Sequence, residues 1–240
     1  MIFSYKDLSN YYEKIKSLGE TLLFNEFNGQ KCFLIRHDVD WDLELAYKLA
    51  QLENNLEIKS TYFILVTSNL YNVFSPSNMK LINKIKNLNH EIGLHFDASN
   101  YKSNYDNHAK KEAKILESII EQKVNSVSLH NPSADGFYPK FPSFNDAYSK
   151  KYFRKEYYLS DARFDFRDKN PYGIIEKINE SFIQISLHPL HYTDDGSTNY
   201  IEIFQRLLKN RLIEFDNYQM MNTKYKTDRL KNNYRIELGE

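Results

Sequence analysis

Short apolar, β-rich runs alternate with helix-like segments, and that alternation constrains this chain more than any other feature. The runs are Cys32–Arg36, Ser60–Val66, Glu91–Leu94, Ser126–Leu129, Tyr157–Ser160 and Phe182–Leu187. Between them, Asp42–Asn54 carries Leu45, Leu49 and Leu52 at helical spacing, with Asp42 placed to cap it. Ser77–Asn89 opens on a serine cap and sets Leu81, Ile82, Ile85 and Leu88 on one face. Asn107–Gln122 repeats the pattern with Ala109, Ala113, Leu116 and Ile120, and Asn199–Arg211 with Ile203, Leu207 and Leu208. Tyr5–Ser17 is a further candidate helix. Strand, helix, strand at this spacing predicts βα units around a parallel sheet. The stretch 131–152, broken by Pro132, Pro139 and Pro142, reads as a long loop with a short helix. The expected organisation is one domain over 1–240, with 224–240 a polar tail.

Composition narrows the chemistry. The 240 residues are 41% apolar, enough for one core of α/β-barrel size. Thirty-two Lys plus Arg balance 32 Asp plus Glu, so nothing drives electrostatic binding to nucleic acid. None of the seven glycines falls in a phosphate-cradling loop. Cys32 is the single cysteine, which excludes an intrachain disulfide and a cysteine-built zinc site. Histidines and carboxylates are then the available metal ligands. The longest apolar runs have strand length, far below the ~18 residues of a membrane span, and Met1–Leu8 has no long apolar segment. A cytoplasmic protein without stable membrane insertion is the expectation. Oligomeric state is not readable.

The polar residues of interest close the strand candidates. Arg36, His37, Asp38, Val39 and Asp40 end the first; His95 and Asp97 follow the third, His130 the fourth, Asp161 and Arg163 the fifth, and His188 the sixth, with His191 just beyond. Active sites of parallel α/β folds lie at the carboxyl ends of the strands, so these residues are expected on one rim. Side chains alternate along a strand, which puts Asp38 and Asp40 on the same face and His37 on the other. Two carboxylates beside His95 make a half-site for a divalent metal, and imidazole with carboxylate suits zinc or a similar first-row ion. His37, His90 and His108 read as structural. Trp41, Phe137, Tyr138 and Tyr192 are candidate stacking aromatics, although burial is the commoner fate of aromatics.

Six pieces, in order, resemble the polysaccharide deacetylases, the NodB-homology carbohydrate esterases. They are RHDVDW (Arg36–Trp41), STYFIL (Ser60–Leu65), HEIGLH (His90–His95), SLHNPS (Ser128–Ser133), YLSDAR (Tyr158–Arg163) and ISLHP (Ile185–Pro189). The resemblance implies a distorted, incomplete (β/α) barrel of six or seven parallel strands. It also implies a metal-dependent hydrolase that removes N- or O-acetyl groups from sugars. By the same resemblance Asp38 matches the general base, Asp40 and His95 the metal ligands, and His188 the general acid. Asp161 or Arg163 would support the base or the acid, with Trp41 and His191 as further supporting or substrate residues.

The chain departs from the family pattern at one point. The family has a second metal histidine four residues after the first, and here that position is Ser99, a poor zinc ligand. A third protein ligand must then come from elsewhere, or the metal is lost; His130 is the first candidate, because it ends the neighbouring strand and replaces the usual Arg of the family's third motif, and Asp97 is the second. The alternatives are a binding protein that has lost catalysis on the same scaffold, or another C–N hydrolase such as a deformylase or amidase. An N-acetylated carbohydrate precursor of surface polysaccharide is the expected partner, and zinc the first-choice cofactor.

Overall fold

The computed structural model describes residues 2–132 and 136–232. Ser133, the last residue of SLHNPS, and positions 233–240 of the expected tail lie outside the described residues. The chain divides into two compact units, Met1–Gly196 and Ser197–Glu240.

The first unit opens on α1 (Tyr5–Leu18), where the Ser4 hydroxyl accepts the Asp7 N–H. Then follow β1 (Phe33–Val39), α2 (Leu43–Asn55), β2 (Ser60–Leu65), α3 (Pro76–Asn87), β3 (Glu91–Phe96), α4 (Tyr105–Ile120) and β4 (Ser126–Leu129). A two-residue β5 (Asn145–Asp146), β6 (Tyr158–Ser160), the short α5 (Pro171–Ile175) and β7 (Ile183–Leu187) complete it. Asp42 caps α2 as the sequence predicts, its Oδ1 accepting from the N–H groups of Glu44 and Leu45. For α3 the cap is Ser75 rather than Ser77, because Pro76, with φ already fixed, starts the helix.

Among the described residues the seven strands are all parallel, in the order β5-β4-β3-β2-β1-β7-β6. The sheet is strongly curled. On a flat sheet β5 and β7 would lie roughly 24 Å apart, five strand spacings. Yet Gln184 Nε2 of β7 donates to the carbonyl of Ala147, one residue past β5, at 2.9 Å, and to that of Tyr152 at 2.7 Å. The segment between β5 and β6 therefore closes a barrel whose edge strands never pair, which is the incomplete (β/α) barrel expected.

Alternation sorts the side chains. Val39, Ile64, Leu94, Val127 and their neighbours face outward onto Ala46 and Ala50 of α2, Ile82 and Ile85 of α3, and Ala113 and Leu116 of α4. The inward face is polar over most of its height. At its lower end Glu91 accepts from Ser126 and Thr61 hydroxyls, beside an aromatic plug of Phe24, Phe27, Phe63 and Tyr152. Gly93 makes room for that plug: a Cβ there would lie 2.5 Å from the Phe63 ring. Gly93→Ala should cost ~1–3 kcal/mol in chemical denaturation, as overpacking does; an unchanged midpoint would show that Phe63 can swing aside.

Outside the barrel, buried Glu53 of α2 ties the helix to the sheet. It accepts hydrogen bonds from the hydroxyls of Tyr12 (2.6 Å), Tyr62 (2.7 Å) and Ser60 (2.5 Å), with His37 Nε2 at 2.6 Å. His90 joins through Ser60 and the Ala50 carbonyl. His37 and His90 are thus structural, as their sequence positions predict. Burial alone would raise the Glu53 pKa, but the His37 charge and hydrogen bond, His90 and Ser60 outweigh it and hold it at about 2. Because the folded pKa is depressed, this stabilisation is complete above the unfolded carboxyl's pKa, ~4.3, and is lost as pH falls towards 2. Stability to urea should fall across that window, and Glu53→Gln should flatten the fall.

The second unit holds α6 (Tyr200–Gln219) and α7 (Thr223–Asn232). Asn199 caps α6, which runs eight residues beyond the Arg211 end read from the sequence. The described part of the expected tail is helical, and Asp216 of α6 accepts from Arg229 of α7 at 2.7 Å. No helix among the described residues is long and apolar enough to cross a membrane.

Candidate active site

Two clusters form on the carboxyl rim of the barrel. The first joins β1, β3 and β4. Register pairs His95 with Ser128 on one side and Leu65 on the other, so His130, two residues past Ser128, shares the inward face with His95. Asp40 lies just beyond the end of β1. The atoms Asp40 Oδ1, His95 Nε2 and His130 Nδ1 make a triangle with all three edges 3.1 Å. Ligands at ~2.0–2.2 Å from one first-row ion present that spacing, and two imidazoles with one carboxylate are a donor set of catalytic zinc. The residues present therefore fit a divalent ion. Burial pushes the Asp40 carboxyl up, but the His95 charge, hydrogen bonds from His130 and His95, and the His188 charge bring it well below the carboxylate range. Burial likewise pushes His130 down, and Asp40 more than reverses this.

Asp97 and Ser99 are not part of this triangle. Asp97 Oδ1 instead accepts from the Ser99 N–H (2.9 Å) and hydroxyl (2.7 Å), capping the turn Ala98–Asn100. Short side chains after an extended residue satisfy local backbone donors in this way.

Asp38 sits below the triangle, almost fully buried. Its Oδ2 lies 3.3 Å from Arg36 Nη2, and its Oδ1 faces His95 Nδ1 at 3.9 Å with no hydrogen bond among the described residues. Arg36 is completely buried, bonded to the hydroxyls of Ser128 and Tyr148 (2.7 Å), with its guanidinium 4.7 Å above the Tyr148 ring. In the sequence Arg36 is marked only as one of the residues that end the first strand. The signal was available, since Arg36 and Asp38 are two apart on one strand and must share the barrel interior.

The second cluster joins β6 and β7. Buried Asp161 accepts from the His188 N–H at 2.9 Å and binds His188 Nδ1 at 2.6 Å, while His191 Nδ1 lies 3.2 Å from its other oxygen. A 2.6 Å contact is a charge-assisted hydrogen bond, shorter than the edges of the first triangle, although these three residues also lie close enough together to hold an ion. Burial lowers the His188 pKa, but the Asp161 charge and hydrogen bond dominate, with Asp40 and Asp38 behind them, and raise it to about 10. His188 is thus an imidazolium at neutral pH, with Nε2 as its second donor.

Arg163 is not brought to either cluster. The chain after Asp161 turns through left-handed Arg163 (φ 63°) and Phe164 (φ 59°), which sends the arginine outward and sets the Phe164 ring 4.1 Å from that of His191. The candidate stacking aromatics also separate. Tyr192 is buried beside Phe3, and Trp41 is half-buried next to Asp40. Phe137 and Tyr138 are about half exposed, on a loop anchored by Phe141 in the core and by Ser143 on Asp106.

Fold and rim together define a parallel half-barrel with a carboxylate–imidazole triangle facing a hydrogen-bonded Asp–His pair. No family model and no curated protein matches the chain. Among solved structures it is similar to a CE4 family pseudoenzyme from Bacillus anthracis, at 14% identity and a TM-score of 0.43 over 75% of this chain and 62% of that one. It is also similar to a polysaccharide deacetylase from Bacillus cereus (16%, TM-score 0.45, 77% and 89%). A peptidoglycan deacetylase from Bacillus subtilis, as the D285S mutant, matches at 9% identity, TM-score 0.42, over 79% and 97%. The chain spans less than two thirds of the length of the pseudoenzyme structures.

Proposed function

We propose that this protein is a metal-dependent hydrolase that removes the acetyl group from an N-acetylated sugar or saccharide precursor, in surface-polysaccharide biosynthesis. The observation that carries the reading is the juxtaposition on one rim of the 3.1 Å ligand triangle, the uncommitted Asp38 oxygen and the imidazolium of His188. Asp40, His95 and His130 would hold the ion, with zinc the first choice for this donor set. When bound, such an ion acidifies water and polarises an acyl oxygen.

Asp38 then takes the proton of the attacking water at Oδ1, while Arg36 holds Oδ2 in place. His188 gives the Nε2 proton to the departing amine, without which amide cleavage stalls. Asp161 holds Nδ1 and keeps the imidazole charged and oriented, and His191 braces Asp161 from its other oxygen. The ordered strand-end motifs support a sugar substrate, and Trp41 and exposed Tyr138 supply aromatic faces for its ring.

The test is acetate release from N-acetylglucosamine as the nucleotide-linked sugar, the lipid-linked sugar and a chito-oligosaccharide, with added Zn²⁺ or Co²⁺. Acetate and free amine in equal amounts from at least one form is the expected result. No release from any form by protein with metal bound would overturn the reading.

A further inference from the structure

We infer that Asn131 sets the tautomer in which His130 binds metal, an inference that rests on the metal centre proposed above. His130 turns Nδ1 towards Asp40 and His95, and its Nε2 lies 2.9 Å from Nδ2 of the Asn131 amide, the orientation that metal binding would reverse. A neutral imidazole carries one ring proton. If Nδ1 presents its lone pair to an ion, the proton sits on Nε2, and the group facing Nε2 must accept it.

Asn131 can meet either requirement, because a half-turn of its amide exchanges Nδ2 for Oδ1 at the same place. With Nδ2 facing the ring, the proton belongs on Nδ1 and points at Asp40. With Oδ1 facing the ring, Nε2–H is held and Nδ1 is free to ligate. Partners of this kind orient metal-binding histidines and typically contribute 10–100-fold in affinity.

The backbone is arranged for this contact. Asn131 is in the left-handed region, φ 45°, directly after the residue it supports. Asn is among the side-chain residues that adopt that conformation most readily, and its amide lies against the preceding ring. The His130 N–H donates to the Phe96 carbonyl at 2.8 Å, so the backbone that carries the ring is tied to β3 while Asn131 faces its outer nitrogen.

Two variants separate the amide from the backbone. Asn131→Gly keeps the positive φ at no steric cost but removes the amide. Asn131→Asp keeps a side chain of the same shape with two acceptors and no donor. The readout is Co²⁺ and Zn²⁺ affinity by chelator competition, with the Co²⁺ visible spectrum reporting the ligand set. Asn131→Gly should bind 10–100-fold more weakly than wild type and Asn131→Asp at least as tightly as wild type. In the Zn²⁺-loaded wild type, long-range ¹⁵N–¹H spectra should place the His130 proton on Nε2. Unchanged affinity in Asn131→Gly, or equal weakening in both variants, would overturn the role of Asn131 alone. No metal binding by wild type would overturn the metal centre with it.

Discussion

Asp38→Asn should lower kcat for deacetylation by ~10²–10⁴, the usual worth of a general base, while KM and bound metal stay close to wild type. The substitution keeps the shape of the side chain and its contact with Arg36 but removes the proton acceptor at Oδ1. Arg36 is buried with its charge and needs the partner. For that reason the folded state must be checked alongside, because breaking a buried pair costs several kcal/mol. Thermal melts within a few degrees of wild type, with kcat down and metal retained, would locate the effect in the chemistry. Full activity would remove Asp38 from the base role and leave its pairing with Arg36 as structure.

A loss of similar size, on the order of 10²–10⁴, should follow Asp161→Asn, and its pH dependence is the sharper signature. The Asp161 charge is the leading cause that raises His188 to about 10 against the opposing effect of burial. Without it the His188 pKa falls, and the acid form is lost at lower pH. The alkaline limb of the pH–kcat profile should therefore move to lower pH, leaving residual activity mainly on the acid side. Wild-type His188 loses its proton only as pH rises towards 10, so wild-type activity should persist well above neutrality. A profile that drops in height without moving its alkaline limb would mean that Asp161 orients His188 but does not tune it. His191→Ala, which removes the brace on the second Asp161 oxygen, should shift the same limb less.

Much of this site was legible because strand ends are legible. Asp38, Asp40, His95, His130, Asp161 and His188 each follow an apolar run, and a parallel sheet must deliver such residues to one rim. His130 could be preferred over Asp97 on strand position alone, and the triangle of ligand atoms now gives the distances. Strand position places Arg36 on the inward face with Asp38, but its partners depend on closure of the sheet. Arg36 reaches Ser128 three strands away and Tyr148 beyond β5, contacts that exist only because the sheet curls. Asn131 acts through a left-handed backbone angle that no periodicity encodes. Arg163 was drawn in by its motif but is carried outward by two successive left-handed residues, a turn without a Gly to announce it. The boundaries of α3 and α6 shifted for local reasons, Pro76 at one and continued apolar spacing through Leu212 and Phe215 at the other.

The most direct test of the whole account is a titration of metal-depleted protein with Zn²⁺ while acetate release from an N-acetylated saccharide is followed. Activity should rise linearly and break at one equivalent, and Asp40→Ala and His130→Ala should show no such rise. Activity that is independent of added metal, or that needs no His130, would contradict it.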